Sequence, residues 1–288
     1  MSALVDVILP THSRAKTLPF AIEAVLGQTH RELRLHVVGD GCPDATAAVA
    51  GSFPDPRVTF HRFPKGPGCG YAHRNAVLRD TAAPFVAYAT DDDLWLPDHL
   101  ESAVAELRGR ELDLVAFRAA HVRPDGGVDP HFFAFDWRIG PVSSLLRRAF
   151  MGSAEYVHRR SVFERVGYWD QTLPRFGDRE LYARILRSPA KSDYVDRVTV
   201  LRFYSDFWDP RYDEMTRPPQ EPYLSRVRDE AWRTALRRAT RTGRRDAGTR
   251  LRQAADCLRF GARSAPELLR LGRRVLWPRA PAFEGNGR

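Results

Sequence analysis

Along the first ninety positions, short unbroken apolar runs alternate with stretches whose apolar residues recur at helical spacing. Val5 to Leu9 is an apolar run of strand length, and Leu18 to Gln28 carries the helical period. Leu33 to Val38 predicts a second strand, Asp44 to Ser52 a helix opening on an acidic residue, and Arg57 to Phe63 a third strand. Lys65 to Gly70, with three glycines and a proline, reads as a loop; a helix over about Tyr71 to Thr81 and a strand at Phe85 to Ala89 follow. The order βαβαβαβ predicts an α/β fold on a mainly parallel, Rossmann-like sheet. In such sheets ligands gather outside the carboxyl ends of the strands, so Pro10 to Arg14, Gly39 to Asp44 and Thr90 to Asp93 are expected to converge.

Past Pro97 the alternation weakens. A helix at about His99 to Arg108, a strand at Leu112 to Arg118 and a turn at Pro124 to Gly127 suggest a hairpin or sheet edge. A short strand near Tyr156 to His158, a helix from Ser161 and another from about Asp178 to Arg187 follow. From Ser225 the chain reads as two or three basic helices interrupted near Gly243 and Pro266. This divides the chain into a half spanning 1–98, a second half spanning 99–224 and a basic helical extension, 225–288.

Charge sharpens the last boundary. The net charge of +9 belongs to the extension, where 17 arginines face 6 acids, whereas residues 1–224 hold 28 basic and 30 acidic groups. Within it, Leu268, Leu271, Val275 and Leu276 recur at helical spacing beside Arg270, Arg273 and Arg274. Two readings stay open: an interfacial helix on an anionic membrane, or an apolar face packed on the rest of the chain or a second copy of it. No nucleic-acid motif or interleaved aromatic platform is present. The cysteines, Cys42, Cys69 and Cys257, are far apart and form no CxxC pair, which argues against a disulfide framework or a cysteine zinc site and for a reducing, cytoplasmic setting. The amino terminus reads as a strand and not a signal peptide, and no window reaches the roughly 20 apolar residues of a membrane span.

Chemistry concentrates in Thr90-Asp91-Asp92-Asp93. Three adjacent carboxylates at a strand end repel one another, and a divalent cation, magnesium or manganese, relieves that repulsion while holding substrate phosphates. The bland alternative is a solvated acidic turn before the helix near Pro97.

Six segments in order over roughly residues 4 to 205 resemble the family 2 glycosyltransferases of the GT-A fold. They are VDVILPTHSR, AIEAVLGQTHRELRLHVVGDGCPDAT, GYAHRNAVL, FVAYATDDDLWLPDHLE, the Arg159 to Phe163 and Gly167 to Asp170 element, and Gly177-Asp178-Arg179-Glu180-Leu181. The resemblance implies an inverting transfer from a UDP-sugar to an acceptor hydroxyl, sugar-containing or lipid-linked. It implies that Pro10, Thr11 and the His12 ring bracket the pyrimidine, with Arg14 in the same turn, that Asp40 accepts the imide N–H, that Arg74 reaches base or diphosphate, and that Asp91 holds the ribose. Asp92 is then the leading metal ligand, with Asp91 and Asp93 sharing the task. Asp178 is the general base and Glu180 the fallback. Trp95, Trp169 and Tyr168 are candidates for stacking on sugars or for the core. Three positions depart from the family pattern: Gly39 and Thr90 stand where it has Asp, and Gly177 where it has Glu. Two rival functions are a sugar-1-phosphate nucleotidyltransferase, disfavoured because the turn PTHSRAKT lacks glycine, and a non-catalytic module acting through the basic tail.

Overall fold

The computed structural model describes residues 3–123, 125–130, 152–203 and 217–243. The stretch 131–151, the extension beyond 243 with Cys257, and the helix anticipated over 266–277 lie outside the described residues.

The opening βαβαβαβ is present: β1 (Val5–Thr11), α1 (Leu18–Leu26), β2 (Leu33–Asp40), α2 (Thr46–Gly51), β3 (Val58–Phe63), α3 (Tyr71–Arg79) and β4 (Phe85–Tyr88). After it come β5 (Leu94–Trp95), α4 (His99–Gly109), β6 (Leu114–Val122), β7 (Val128–Pro130) and a 3-10 turn at Ser153–Glu155. Then follow β8 (Tyr156–Arg159), α5 (Val162–Val166), α6 (Gly177–Arg187), β9 (Ser192–Phe203), α7 (Glu221–Arg226) and α8 (Glu230–Gly243). Element ends shift by a few residues for local reasons. Asp44 falls outside α2 because its Oδ1 accepts the Thr46 N–H at 3.1 Å, capping the turn that enters the helix.

The described strands form one sheet in the order β3-β2-β1-β4-β8-β6-β9-β5, with β7 hairpinned onto β6. β1 to β4 pair in parallel, β8 runs antiparallel between β4 and β6, and β9 runs parallel to β6. The sheet is therefore mainly parallel, and it runs without a break through both 1–98 and 99–224.

Alternation in β1 and β2 sends side chains to opposite faces. Val5, Val7 and Leu9 pack with α1 and α4, whereas Ile8, Val38 and Tyr88 pack with α3 and α6. A third cluster joins Leu94, Leu96, Leu201 and Phe203 to Tyr223 and Leu236 of α7 and α8. Among the described residues no helix is long and apolar enough to cross a membrane.

Two strands escape the sequence reading. β9 is twelve residues long, but its burial lies in its second half, so SDYVDR reads as loop. β5 has two residues and exists through its pairing of Leu94 with Leu201 and Trp95 with Val200.

Candidate functional site

The carboxyl ends of β1, β2 and β4 lie side by side, in registers that place Thr11 beside Gly39 and Ile8 beside Tyr88. Across the first pair, the exposed His12 ring donates Nδ1–H to the Asp40 carbonyl, 2.7 Å away. This holds the ring over the ends of two strands.

Asp40 itself is buried. Its carboxylate receives the Lys65 ammonium, the Gly66 N–H at 2.7 Å and the His73 ring at 3.3 Å. Burial raises the carboxyl's pKa, but the Lys65 and Gly66 contacts outweigh it and hold Asp40 below the ordinary carboxylate range. The sequence reading assigned Asp40 a role and passed over its partners; Lys65, alone among glycines and prolines, was the available signal.

α3 follows at once. The Arg74 guanidinium lies 4.8 Å from the Tyr71 ring centre and 4.9 Å from that of Trp169, and donates to the Cys69 carbonyl at 2.9 Å. Its Nε is buried with no hydrogen-bond partner. Asn75 fixes this corner by donating to the Trp169 carbonyl and accepting the Trp169 N–H. Trp169 is thus a core residue stacked on Tyr71, and Trp95 is another, its Nε1 donating to the Ala154 carbonyl. Tyr168 stacks on Phe163. Burial assigns Trp95 and Trp169 to packing, while Tyr168 is half-buried, with Arg79 5.1 Å from its ring centre.

The acidic loop is not a solvated turn. Asp93 is buried, and Asp91 and Asp92 are half-buried. Asp91 and Asp93 are each pushed up to about 7, first by burial and then by the Asp92 charge; Arg14 opposes the shift at Asp91 and Arg202 at Asp93. Burial also raises Asp92, against Arg14 and Arg202. Both Asp93 oxygens have partners: Oδ1 accepts the Phe203 N–H at 3.1 Å, and Oδ2 the Thr90 hydroxyl at 2.7 Å. Gln220 donates to the Asp92 carbonyl at 2.7 Å. The donor set fits a divalent cation: crowded, desolvated carboxylates gain from a counter-charge, and one or two of them suffice when phosphate oxygens complete the shell. Among the described residues no group of three or more potential ligands is assembled, so such a cation would need substrate oxygens.

Two departures from the family pattern acquire a steric reason. A Cβ on Gly39 would stand 2.8 Å from the Phe60 ring, and one on Gly177 would stand 2.6 Å from the Tyr71 ring. The third is electrostatic, since the Thr90 hydroxyl donates where an aspartate would repel Asp93.

Gly177 begins α6, and the Tyr71 hydroxyl accepts its N–H at 2.8 Å. The residue before it, Phe176, holds φ at 61°, an uncommon conformation for an aromatic and a local cost at the head of this helix. Asp178 is half-buried in the first turn, where helix polarity favours a carboxylate, and its carbonyl accepts the Tyr156 hydroxyl at 3.2 Å. Glu180 is committed elsewhere: both its oxygens receive Arg184, at 2.8 and 2.7 Å. A carboxylate so paired must break two charge-assisted bonds before it can take a proton, which sets Glu180 apart from Asp178.

These features sit in a sequence with known relatives. The Glycosyl transferase family 2 profile matches residues 6–170. The chain belongs to that family. An uncharacterized glycosyltransferase of Rickettsia bellii is 28% identical over 219 residues, 70% of this chain and 30% of the relative. A UDP-Glc:alpha-D-GlcNAc-diphosphoundecaprenol beta-1,3-glucosyltransferase, WfgD of Escherichia coli, is 29% identical over 102 residues, 35% of this chain and 40% of that protein. The chain spans about a third to two thirds of the length of the first curated relatives it matches. Among solved structures, S. aureus TarS 1-349 in complex with UDP-GlcNAc superimposes with a TM-score of 0.58 at 15% identity, over 94% of this chain and 82% of that one. The mannosyltransferase PcManGT from Pyrobaculum calidifontis, in complex with GDP-Man and Mn2+, superimposes at 0.54 with 14% identity, over 96% and 88%. At those identities the likeness is one of fold, a GT-A glycosyltransferase fold.

Proposed function

We propose that this family 2 glycosyltransferase transfers a sugar from a UDP-sugar to an acceptor hydroxyl in one inverting displacement assisted by a divalent cation. The observation that carries the reading is the crowded acidic loop, in which Asp91 and Asp92 are half-buried beside an Asp93 held by Phe203 and Thr90. Asp92, with Asp91 at its side or holding the ribose, would bind magnesium or manganese, which supplies positive charge to the departing diphosphate. Thr11, the Pro10 backbone and the His12 ring bracket the base. Asp40 accepts the imide N–H with the Lys65 ammonium alongside. Arg14 and Arg74 lie toward the phosphates and the base. Asp178 accepts the acceptor's proton as its oxygen attacks the anomeric carbon and the bond to diphosphate breaks.

The GDP-Man and UDP-GlcNAc complexes of the fold relatives support a nucleotide-sugar donor, and the manganese in one supports the cation. The acceptor that WfgD's name records supports a lipid-linked acceptor, reached from the cytoplasmic face. Family membership favours this reading over the nucleotidyltransferase and the non-catalytic module. We divide the chain accordingly into a donor half, 1–98, an acceptor half, 99–224, and the basic extension, which would contact an anionic membrane or a second copy.

The test is UDP release across a panel of UDP-sugars, with manganese or with EDTA. Release that requires the metal is expected. Full rate in EDTA overturns the cation, and consumption of a nucleoside triphosphate with sugar 1-phosphate overturns the transfer.

A further inference from the structure

The acidic loop is braced from β9, a strand outside the stretch that the family profile matches. Arg202 near the end of β9 places Nη1 3.0 Å from Glu155 Oε1 and Nε 3.7 Å from Asp93 Oδ2. Glu155 lies in the 3-10 turn before β8 and is 2% exposed. Its carboxylate would be costly there without a cationic partner. Gly152 lies against this pair, and a Cβ on it would stand 2.9 Å from Arg202 Nη1. The next residue on β9, Phe203, donates its N–H to Asp93, so one strand end grips this carboxyl through both backbone and side chain. Next to Glu155 in the chain, Tyr156 donates its hydroxyl to the Asp178 carbonyl at 3.2 Å. A path from Asp93 through Arg202 and Glu155 to the neighbouring Tyr156 thereby joins the loop after β4 to the first turn of α6.

We propose that Arg202 and Glu155 are positioning residues that brace the acidic loop, holding Asp91 and Asp92 toward a cation and tying that loop to the helix that carries Asp178. The inference rests on the cation-assisted reading of the site. It makes Asp93 an anchor and not a ligand.

The sign of one measurement separates a brace from a mere charge. A guanidinium beside a cation site repels the cation, so if Arg202 acted by charge alone its removal would tighten binding. A brace requires the opposite. In metal sites, loss of an outer partner that orients a ligand typically weakens metal affinity by about 10 to 100-fold.

The experiment takes the full chain as wild type, Arg202→Met, Arg202→Lys and Glu155→Gln. It measures Mn2+ affinity by electron paramagnetic resonance at saturating UDP, UDP affinity in EDTA by calorimetry, and thermal unfolding. Mn2+ binding is expected to weaken by about tenfold in Arg202→Met and in Glu155→Gln. Arg202→Lys, which keeps the charge but cannot span both carboxylates, should restore only part of it. UDP affinity in EDTA should be unchanged. Mn2+ binding that is unchanged or tighter in folded Arg202→Met overturns the brace, with the cation reading intact. If that variant does not fold, Arg202→Lys and Glu155→Gln decide by the same criterion. A wild-type protein that binds no Mn2+ alongside UDP overturns the cation reading and the brace together.

Discussion

At the scale of single residues, the site is organised by which carboxylates are already spent. Asp93 and Glu180 each have hydrogen-bonding partners on both oxygens, whereas Asp178 sits in a helix's first turn with its side chain half-exposed. Two substitutions discriminate between the carboxylates of α6. Asp178→Asn is expected to lower the transfer rate by about 100-fold or more while leaving UDP affinity intact, because the residue acts on the acceptor's proton. Glu180→Gln removes a pairing charge from Arg184 and should lower thermal stability while the rate survives. A rate collapse in Glu180→Gln with a normal rate in Asp178→Asn would exchange their roles. The sequence placed both on one helix turn but carried no sign that Arg184 holds one of them. An i to i+4 pair is available to any such helix, and only the turn from Val166 to Tyr168, whose carbonyls also receive Arg184, decides that it forms.

At the scale of elements, α6 shows how a departure from a family pattern becomes intelligible once its neighbour is known. Gly177 looks like the loss of a useful carboxylate until the Tyr71 ring is found in the space a side chain would need. Gly177→Ala should therefore push α6 away from α3 and cost about 1–3 kcal/mol of stability, as overpacked sites do. The loss of rate should exceed what the stability change explains, since Asp178 is the next residue. Urea unfolding alongside UDP-release kinetics would check this; an alanine variant with wild-type stability and rate would show that the contact is relaxed at no cost. β9 makes a complementary point. Its first half, half-buried or exposed, has the composition of a loop, and the structure makes it a strand because β6 offers a parallel edge along its whole length. The pairing slips around Arg118, whose guanidinium pairs with Asp196 on β9.

At the scale of the whole molecule, the end of the sheet remote from the donor loops is tied by one carboxylate. Asp6 of β1 is fully buried, and its oxygens receive Arg34 of β2 at 3.0 Å, Arg160 after β8 at 2.9 Å, the Ala83 N–H at 2.9 Å and the His36 ring at 3.3 Å. Burial raises its pKa, but the His36, Ala83 and Arg34 contacts outweigh this and bring it down to about 2. A carboxyl depressed in the folded state stabilises the protein fully above its unfolded pKa, about 4, and the contribution is lost as pH falls through about 2. Asp6→Asn is accordingly expected to cost about 3–5 kcal/mol at pH 7, with the gap to wild type narrowing below about pH 4. Chemical denaturation at pH 7 and pH 3 tests it, and a gap that widens in acid would contradict the assignment. What the sequence determined by itself is what repeats locally. The alternation of strand and helix, the loops at the strand ends and the acidic triplet were legible because each depends on residues a few positions apart, and periodicity and turn chemistry act at that range. Tertiary structure alone decided which polar groups remain available. The Lys65 clasp on Asp40, the Phe203 and Arg202 grip on Asp93 and the Tyr71 ring beneath Gly177 join residues 25, 110, 109 and 106 positions apart. No local pattern encodes such meetings, because they exist only after the sheet has brought its strand ends together.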